Sequence, residues 1–159
     1  MFEIKPAYDH EEAVKELFAE YMRMLIENEP DFAQYLVLQN YDAELADLDQ
    51  KYGLPDGRLY IALDGEEAAG CIGLRRLDGE NCELKRLYVR PAYRGCGLAK
   101  AFVERILADA GAIGYRAIYL DTLPMLTKAI DIYKRYGFRE IGRYNDSPID
   151  TTIFMKREL

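Results

Sequence analysis

Arg94, Gly95, Cys96 and Gly97 stand between a strand-like run, Leu87-Tyr88-Val89-Arg90, and a run in which Leu98, Phe102, Val103, Ile106 and Leu107 recur at helical spacing. Two glycines at such a junction reach backbone conformations closed to other residues and let the main chain approach a ligand. The first amides of the helix and its dipole point at the same place, which makes it an anion site, with Arg94 and Lys100 adding positive charge. A bare Gly-x-Gly on its own reads first as a tight turn. Two rival phosphate sites are disfavoured, because the loop lacks the Gly-Lys-Ser/Thr of a nucleotide P-loop and the third glycine of a dinucleotide fingerprint.

The run Leu87-Tyr88-Val89-Arg90-Pro91-Ala92-Tyr93-Arg94-Gly95-Cys96-Gly97-Leu98-Ala99 resembles the acyl-CoA signature of the GNAT N-acetyltransferase superfamily, Arg/Gln-x-x-Gly-x-Gly/Ala, with Arg94, Gly97 and Ala99 at its fixed positions. Ala129-Ile130-Asp131-Ile132-Tyr133-Lys134-Arg135-Tyr136-Gly137-Phe138 resembles its second signature. The resemblance runs from about residue 59 to the end in strand order. It implies acetyl-CoA as acyl donor, lying between two parallel strands that splay apart around Leu87 and Leu120. Backbone groups of Leu87 and Val89 would meet the pantetheine arm, and amides of Gly95, Cys96, Gly97, Leu98 and Ala99 the pyrophosphate. It further implies that Tyr133 protonates the departing thiolate; core packing with Leu126, Ala129 and Ile130 on one helix face is the other reading of that residue. Many relatives carry Asn seven residues before the tyrosine, where this chain has Leu126.

Acetyl transfer to an amine needs the neutral amine, and an alkylammonium of pKa ~10 is only about one part in a thousand neutral at pH 7. A carboxylate acting directly or through water supplies that need. Glu83, on the strand that leads into the loop, is the first candidate; its alternative is an exposed strand glutamate beside Asn81 and Lys85, since register decides its face. Asp121, at the carboxyl end of the next strand, is the second. The acceptor would enter between the amino-terminal helices and the segment 144–150, where Asp146 and Asp150 would attract a cationic amine; Arg75-Arg76 would clamp a carboxylate, and solvated surface is the other reading of all four charges. The function expected is N-acetyl transfer to a primary amine of a small molecule or peptide. A non-catalytic acyl-CoA-binding module is the alternative.

The elements that must position these groups follow from patterning. Phe2-Glu3-Ile4 reads as an edge strand stopped by Pro6, and Asp9 with Glu12 has capping-box spacing before a helix that buries Val14, Leu17, Phe18, Tyr21 and Leu25. Asp31 to Leu48 reads as one or two short helices lining a pocket. Leu59–Leu63, Ala68–Leu77 and Cys82–Val89 form a meander turning at Asp64-Gly65 and Asp78-Gly79. Helix Gly97–Ala110 and strand Ala117–Asp121 complete a right-handed crossover. Helix Met125–Tyr136, capped at Gly137, and strands Phe138–Ile141 and Thr151–Met155 close the chain. The fold class is α/β in composition (α+β). It is a GNAT-like mixed, mostly antiparallel sheet of about six to seven strands with a central βαβ crossover and helices on both faces, in a single domain over residues 1–159.

The 159 residues carry 28 acidic against 21 basic side chains, a net charge of −7. Such a balance does not draw a protein toward nucleic acid or anionic membrane. Cys71, Cys82 and Cys96, without CxxC spacing, and a lone His10 offer no zinc site and suit a reducing compartment. With no signal-like segment or long apolar run, the sequence reads as cytoplasmic and metal-free. A homodimer through edge strands near the carboxyl terminus is compatible with it.

Overall fold

The computed structural model describes residues 1–159. One seven-stranded sheet has the order β1-β2-β3-β4-β5-β7-β6. Its strands are β1 (Glu3–Pro6), β2 (Arg58–Asp64), β3 (Glu67–Arg76), β4 (Asn81–Val89), β5 (Ala117–Thr122), β6 (Arg139–Ile141) and β7 (Ile153–Glu158). Only β4 and β5 are parallel; every other pair is antiparallel. The mixed sheet and central crossover agree with the patterning, with local differences. The carboxyl-terminal strand is internal, paired with β5 along Ile153–Glu158 and with β6 at Phe154, Met155 and Lys156, so the edge on that side is the three-residue β6. The β2–β3 turn is Gly65-Glu66, one residue later than expected, with Gly65 at φ +63 in first place.

Helix α1 (Glu11–Asn28) starts at His10 without a side-chain cap, so the Asp9 capping box is not made. Two short helices, α2 (Phe32–Leu38) and α3 (Tyr41–Ala46), occupy the segment where one or two were expected, and a third, α4 (Leu48–Tyr52), runs on into the stretch before β2. Val14, Leu17 and Phe18 of α1 and Leu48 and Tyr52 of α4 pack with Leu59, Ile61, Cys71 and Tyr88 on one face of the sheet. On the other, Leu98, Phe102, Val103, Ile106 and Ala110 of α5 (Leu98–Ile113) pack with Tyr133 of α6 (Thr127–Arg135) and with Ile72, Leu84, Ile118 and Leu120. Each helix buries the stripe that its apolar spacing defines. No helix is long and apolar enough to cross a membrane.

Strand β4 changes parity halfway along. Cys82 and Leu84 point to the α5 face, and so do Leu87 and Val89. One extra residue must lie between them. The pairing with β3 accordingly slips between Gly73↔Lys85 and Cys71↔Tyr88, and Arg86 sits at φ +59. A β-bulge of this kind re-aims side chains. Here it places Lys85 and Arg86 consecutively on the α1–α4 side, together with Glu83.

A left-handed arginine costs about 1–2 kcal/mol. Glu44 of α3 opposes that cost with a two-pronged bond, accepting 2.9 Å contacts from Arg86 Nε and Nη2. Lys51 Nζ at 2.7 Å and Tyr52 Oη at 3.0 Å donate to the same carboxylate. Burial pushes the Glu44 carboxyl up, but Arg86 and Lys51 outweigh it and hold the pKa at about 2. Ionised Glu44 therefore stabilises the fold fully above the unfolded carboxyl pKa of ~4.3, and that contribution is lost as pH falls from there toward the folded value.

Glu44→Gln leaves Arg86 half-paired in the interior and should cost about 3–5 kcal/mol in denaturant titrations at pH 7. The difference from the parent should shrink as the titrations are repeated below pH ~4.3; a difference that grows with acid would contradict the charge assignment. Gly73→Ala should cost about 1–3 kcal/mol, because its Cβ would meet the buried Tyr52 ring at 2.7 Å. Gly79→Ala, whose Cβ meets nothing within 4 Å, should stay within about 0.5 kcal/mol of the parent.

Candidate active site

The parallel pair β4–β5 is hydrogen-bonded only from Asn81↔Ala117 to Glu83↔Tyr119. Beyond Glu83 the strands part, and a narrow cavity of about 40 Å³ lies in the gap. Its lining comes from both faces of the sheet. Leu87 and Tyr133 belong to the α5–α6 side, while Tyr21, Tyr35, Lys85 and Arg86 belong to the α1–α4 side, where Leu126 also packs. The gap thus leads through the sheet. A wider cavity of about 340 Å³ adjoins it on the α2 side, sharing Tyr35, Gln39 and Lys85 and adding Lys51, Arg75, Glu83 and Tyr144.

At the other end of β4, a 3-10 turn (Pro91–Tyr93) leads into the glycine loop, with Gly95 at φ +83 and Gly97, the cap of α5, at φ +84. The amides from Gly95 through Lys100 donate to no acceptor in the protein; the first loop-to-helix bond is Ala101 N to Gly97 O at 3.0 Å. These free donors share the positive end of a sixteen-residue helix. Leu98 is buried beneath the loop, while Arg94, Gly95, Cys96 and Gly97 are exposed and Ala99 is half-buried. Arg94 folds back, its Nε donating to Val89 O at 3.0 Å. Cys96 Sγ donates to Tyr93 O at 2.7 Å.

Tyr133 is buried, packs edge-on against Phe138 at 5.6 Å and lines the narrow cavity. Its hydroxyl has no hydrogen-bond partner in the protein, and burial pushes its pKa above that of a free phenol. Thr122 Oγ1, on the same cavity wall, is buried without a partner. Polar groups left in this state ask for a ligand's donors and acceptors.

Glu83 is buried, not exposed, and both its oxygens are engaged. Arg75 Nε donates to Oε1 at 2.7 Å and Tyr144 Oη to Oε2 at 2.5 Å, with Lys85 Nζ 3.9 Å from Oε1. Burial raises its pKa, but the charges of Lys85 and Arg75 and the Tyr144 bond prevail and leave it below the ordinary value. Asp121 is half-buried at the end of β5; Tyr35 Oη and Asn145 Nδ2, the latter at 2.7 Å, both donate to its Oδ2. Its Oδ1 accepts no bond, and the residue lines the narrow cavity with Tyr133. The expected pair Arg75-Arg76 divides: Arg75 faces the wider cavity, whereas Arg76 bonds Asp56 at the surface. Asp146 reaches that cavity and Asp150 does not.

Sequence reasoning passed over Lys85, Gln39, Glu44 and Arg86. For Lys85 and Arg86 the signal lies in the parity of β4, where apolar residues at 82 and 84 give way to 87 and 89. That count implies a bulge and two successive polar side chains on one face. Gln39 and Glu44, by contrast, join the site only through long-range packing.

Comparison with known proteins places this geometry. The sequence model of the acetyltransferase (GNAT) family matches residues 12–138. An uncharacterised N-acetyltransferase of Schizosaccharomyces pombe is 38% identical over 131 residues, covering 81% of this chain and 80% of that protein. A GNAT-family acetyltransferase from Staphylococcus aureus superposes with a TM-score of 0.77 at 24% identity, covering 99% of both chains. The PaiA N-acetyltransferase of Thermoplasma acidophilum, solved in complex with coenzyme A, does so with a TM-score of 0.74 at 16% identity, over 100% of this chain and 99% of that one. A signature loop of free amides, a parting of the two parallel strands behind it and a family match over most of the length converge: the chain belongs to the acetyltransferase (GNAT) family, and it is an N-acetyltransferase.

Proposed function

We propose that the protein transfers the acetyl group of acetyl-CoA to a primary amine, with the coenzyme on the α5–α6 side of the sheet and the acceptor on the α2 side. The observation that carries this reading is the row of unpaired amides from Gly95 through Lys100, set where β4 leaves the sheet. A pyrophosphate satisfies these donors and the helix dipole together. From there the pantetheine arm runs along Leu87 and Val89 into the gap, where Thr122 Oγ1 and the Tyr133 hydroxyl are available to it. Coenzyme A bound to the Thermoplasma neighbour supports the same donor here.

In the transfer, the neutral amine nitrogen forms a bond to the acetyl carbon, the carbon–sulfur bond breaks, and the proton that the nitrogen then sheds balances the one taken up as coenzyme A leaves as the thiol. The ammonium must first lose a proton. Asp121 is the better-placed acceptor of it, because Oδ1 is free on the narrow cavity while Tyr35 and Asn145 hold the other oxygen in position. Glu83, with two cations and a tyrosine on its carboxylate, is a weaker base and serves to hold Arg75 and Tyr144 in place. Tyr133 stays protonated at neutral pH. Full proton transfer from so weak an acid to a thiolate of pKa ~8.5 is uphill, so its hydroxyl acts mainly by a hydrogen bond that strengthens as charge builds on sulfur.

Saturating acetyl-CoA, at about a hundredfold above its Kd, should stabilise the protein by about 2.7 kcal/mol, read as a rise in Tm. Gly97→Val should abolish that rise, since its side chain would project into open space on the loop at a left-handed position. A well-folded parent with no acetyl-CoA shift sinks the donor assignment. Tyr133→Phe should leave calorimetric acetyl-CoA affinity intact and lower kcat by about a hundredfold; unchanged kcat returns Tyr133 to a packing role and leaves coenzyme binding without turnover support from it. Asp121→Asn should lower kcat/KM more than Glu83→Gln at neutral pH, with partial recovery at high pH. The reverse order makes Glu83 the base.

A further inference from the structure

The wider cavity is built around a surplus of positive charge. Glu83 is flanked by Arg75 and Lys85, one carboxylate between two cations. Glu44 is flanked by Arg86 and Lys51 in the same way. Gln39 joins the two groups, its Oε1 accepting from Lys85 Nζ at 3.0 Å and from Arg86 Nη2 at 2.9 Å. Against the four cations stand three carboxylates, Glu83, Glu44 and Asp121, and the exposed Asp146 stands only at the rim. In a chain of net charge −7, a desolvated positive excess is the opposite of what the composition alone would place there.

The excess is localised on Lys85. Its side chain is 8% exposed, yet the ammonium makes one hydrogen bond, to Gln39, and a loose 3.9 Å contact to Glu83. An ammonium has three donors, so two of them are unspent. Arg75, Arg86 and Lys51, by comparison, each hold a carboxylate at 2.9 Å or less. A buried cation in this condition carries a desolvation cost that only an anion offsets well. Lys85 also belongs to the lining of both cavities, beside Asp121 in the narrow one.

We propose that the acceptor is an α-amino acid, its carboxylate held by Lys85 with Arg75 alongside and its amine turned toward Asp121 and the gap. This rests on the acetyl-transfer reading of the site. The spacing argument is that one lysine faces both chambers, so the carboxylate and the reacting nitrogen must lie close together, as they do across a single α-carbon. The side chain then extends into the wider cavity between Tyr35, Leu38, Leu77 and Tyr144. Burial lowers the Lys85 ammonium pKa, with Arg86 adding to the effect and Glu83 opposing it; a bound carboxylate would raise it again.

The test is a matched panel with acetyl-CoA: L-aspartate, L-glutamate, L-methionine, L-leucine and L-phenylalanine, each beside its α-carboxamide. The free acids should be favoured in kcat/KM by about tenfold or more, and Lys85→Gln should bring the acid-to-amide ratio toward unity. Amides equal to or better than their acids overturn the proposal, and so does a ratio unchanged by Lys85→Gln. A binding measurement on the parent separates this from the reaction itself. With coenzyme A bound, calorimetry should show N-acetyl-L-methionine and N-acetyl-L-phenylalanine binding more tightly than their carboxamides. If no amine is acetylated but the acids still bind more tightly, the carboxylate site stands and the transfer reading fails. Equal binding of acid and amide removes the carboxylate site even if other amines are acetylated, and it also decides the matter should Lys85→Gln fail to fold.

Discussion

The buried pairing of Arg86 with Glu44 is the contact on which the acceptor side of the molecule depends. It holds a non-glycine residue at φ +59 in the middle of an internal strand, and that one irregularity changes the parity of β4. Without the extra residue, Leu87 and Val89 would turn from the α5 face toward α1, and the apolar packing on both sides would be lost. With it, Glu83, Lys85 and Arg86 share one face. The same ion pair fixes α3 over the sheet, and through Gln39 it fixes the end of α2, which supplies Tyr35 and so orients Asp121.

The two halves of the site are made from different materials. The donor half is mostly backbone: amides of the glycine loop, the dipole of α5 and the free edge of β4 beyond Glu83. Such groups recognise a pyrophosphate and an extended amide-bearing arm by geometry, and they need few particular side chains beyond the glycines that allow the φ values. The acceptor half is side-chain electrostatics, assembled from α2, α3, α4, β3, β4, β5 and the loop before β7, which are distant in sequence. Its polarity depends on long-range pairing, as the Glu83–Tyr144 and Glu44–Arg86 contacts illustrate.

That difference explains what could be read before the structure. The glycine loop, the crossover helix with its apolar stripe, and Tyr133 in its Ala-x-x-x-Tyr run are local patterns, legible over a few turns of chain. Glu83 was legible as a residue of interest, but its state was not. Whether a strand glutamate is free or bound by Arg75, Lys85 and Tyr144 depends on partners up to 61 positions away. The strand near the carboxyl terminus was recognisable by its alternation, whereas its place between β5 and β6 was not, because sheet order is set by which faces remain to be buried. The bulge is within reach of simple counting along Cys82–Val89, because the apolar pairs 82/84 and 87/89 differ in parity.

The parting of β4 from β5 ties these halves into one machine. Parallel strands give up their hydrogen bonds beyond Glu83 only if something else compensates, and in this protein the compensation is divided. Arg90 at the end of β4 donates to Glu20 of α1 through Nε and Nη2, at 3.0 and 2.6 Å, which anchors the diverging strand to the helix beside it. Tyr144 and Asn145 reach from the loop before β7 to Glu83 and Asp121 and brace the other lip of the gap. The opening is therefore held from both sides by side chains, not left as a defect in the sheet. A gap supported in this way stays open to the donor without being filled by it, so the cost of separating the strands is met in folding, and coenzyme binding need only satisfy donors that already point at it.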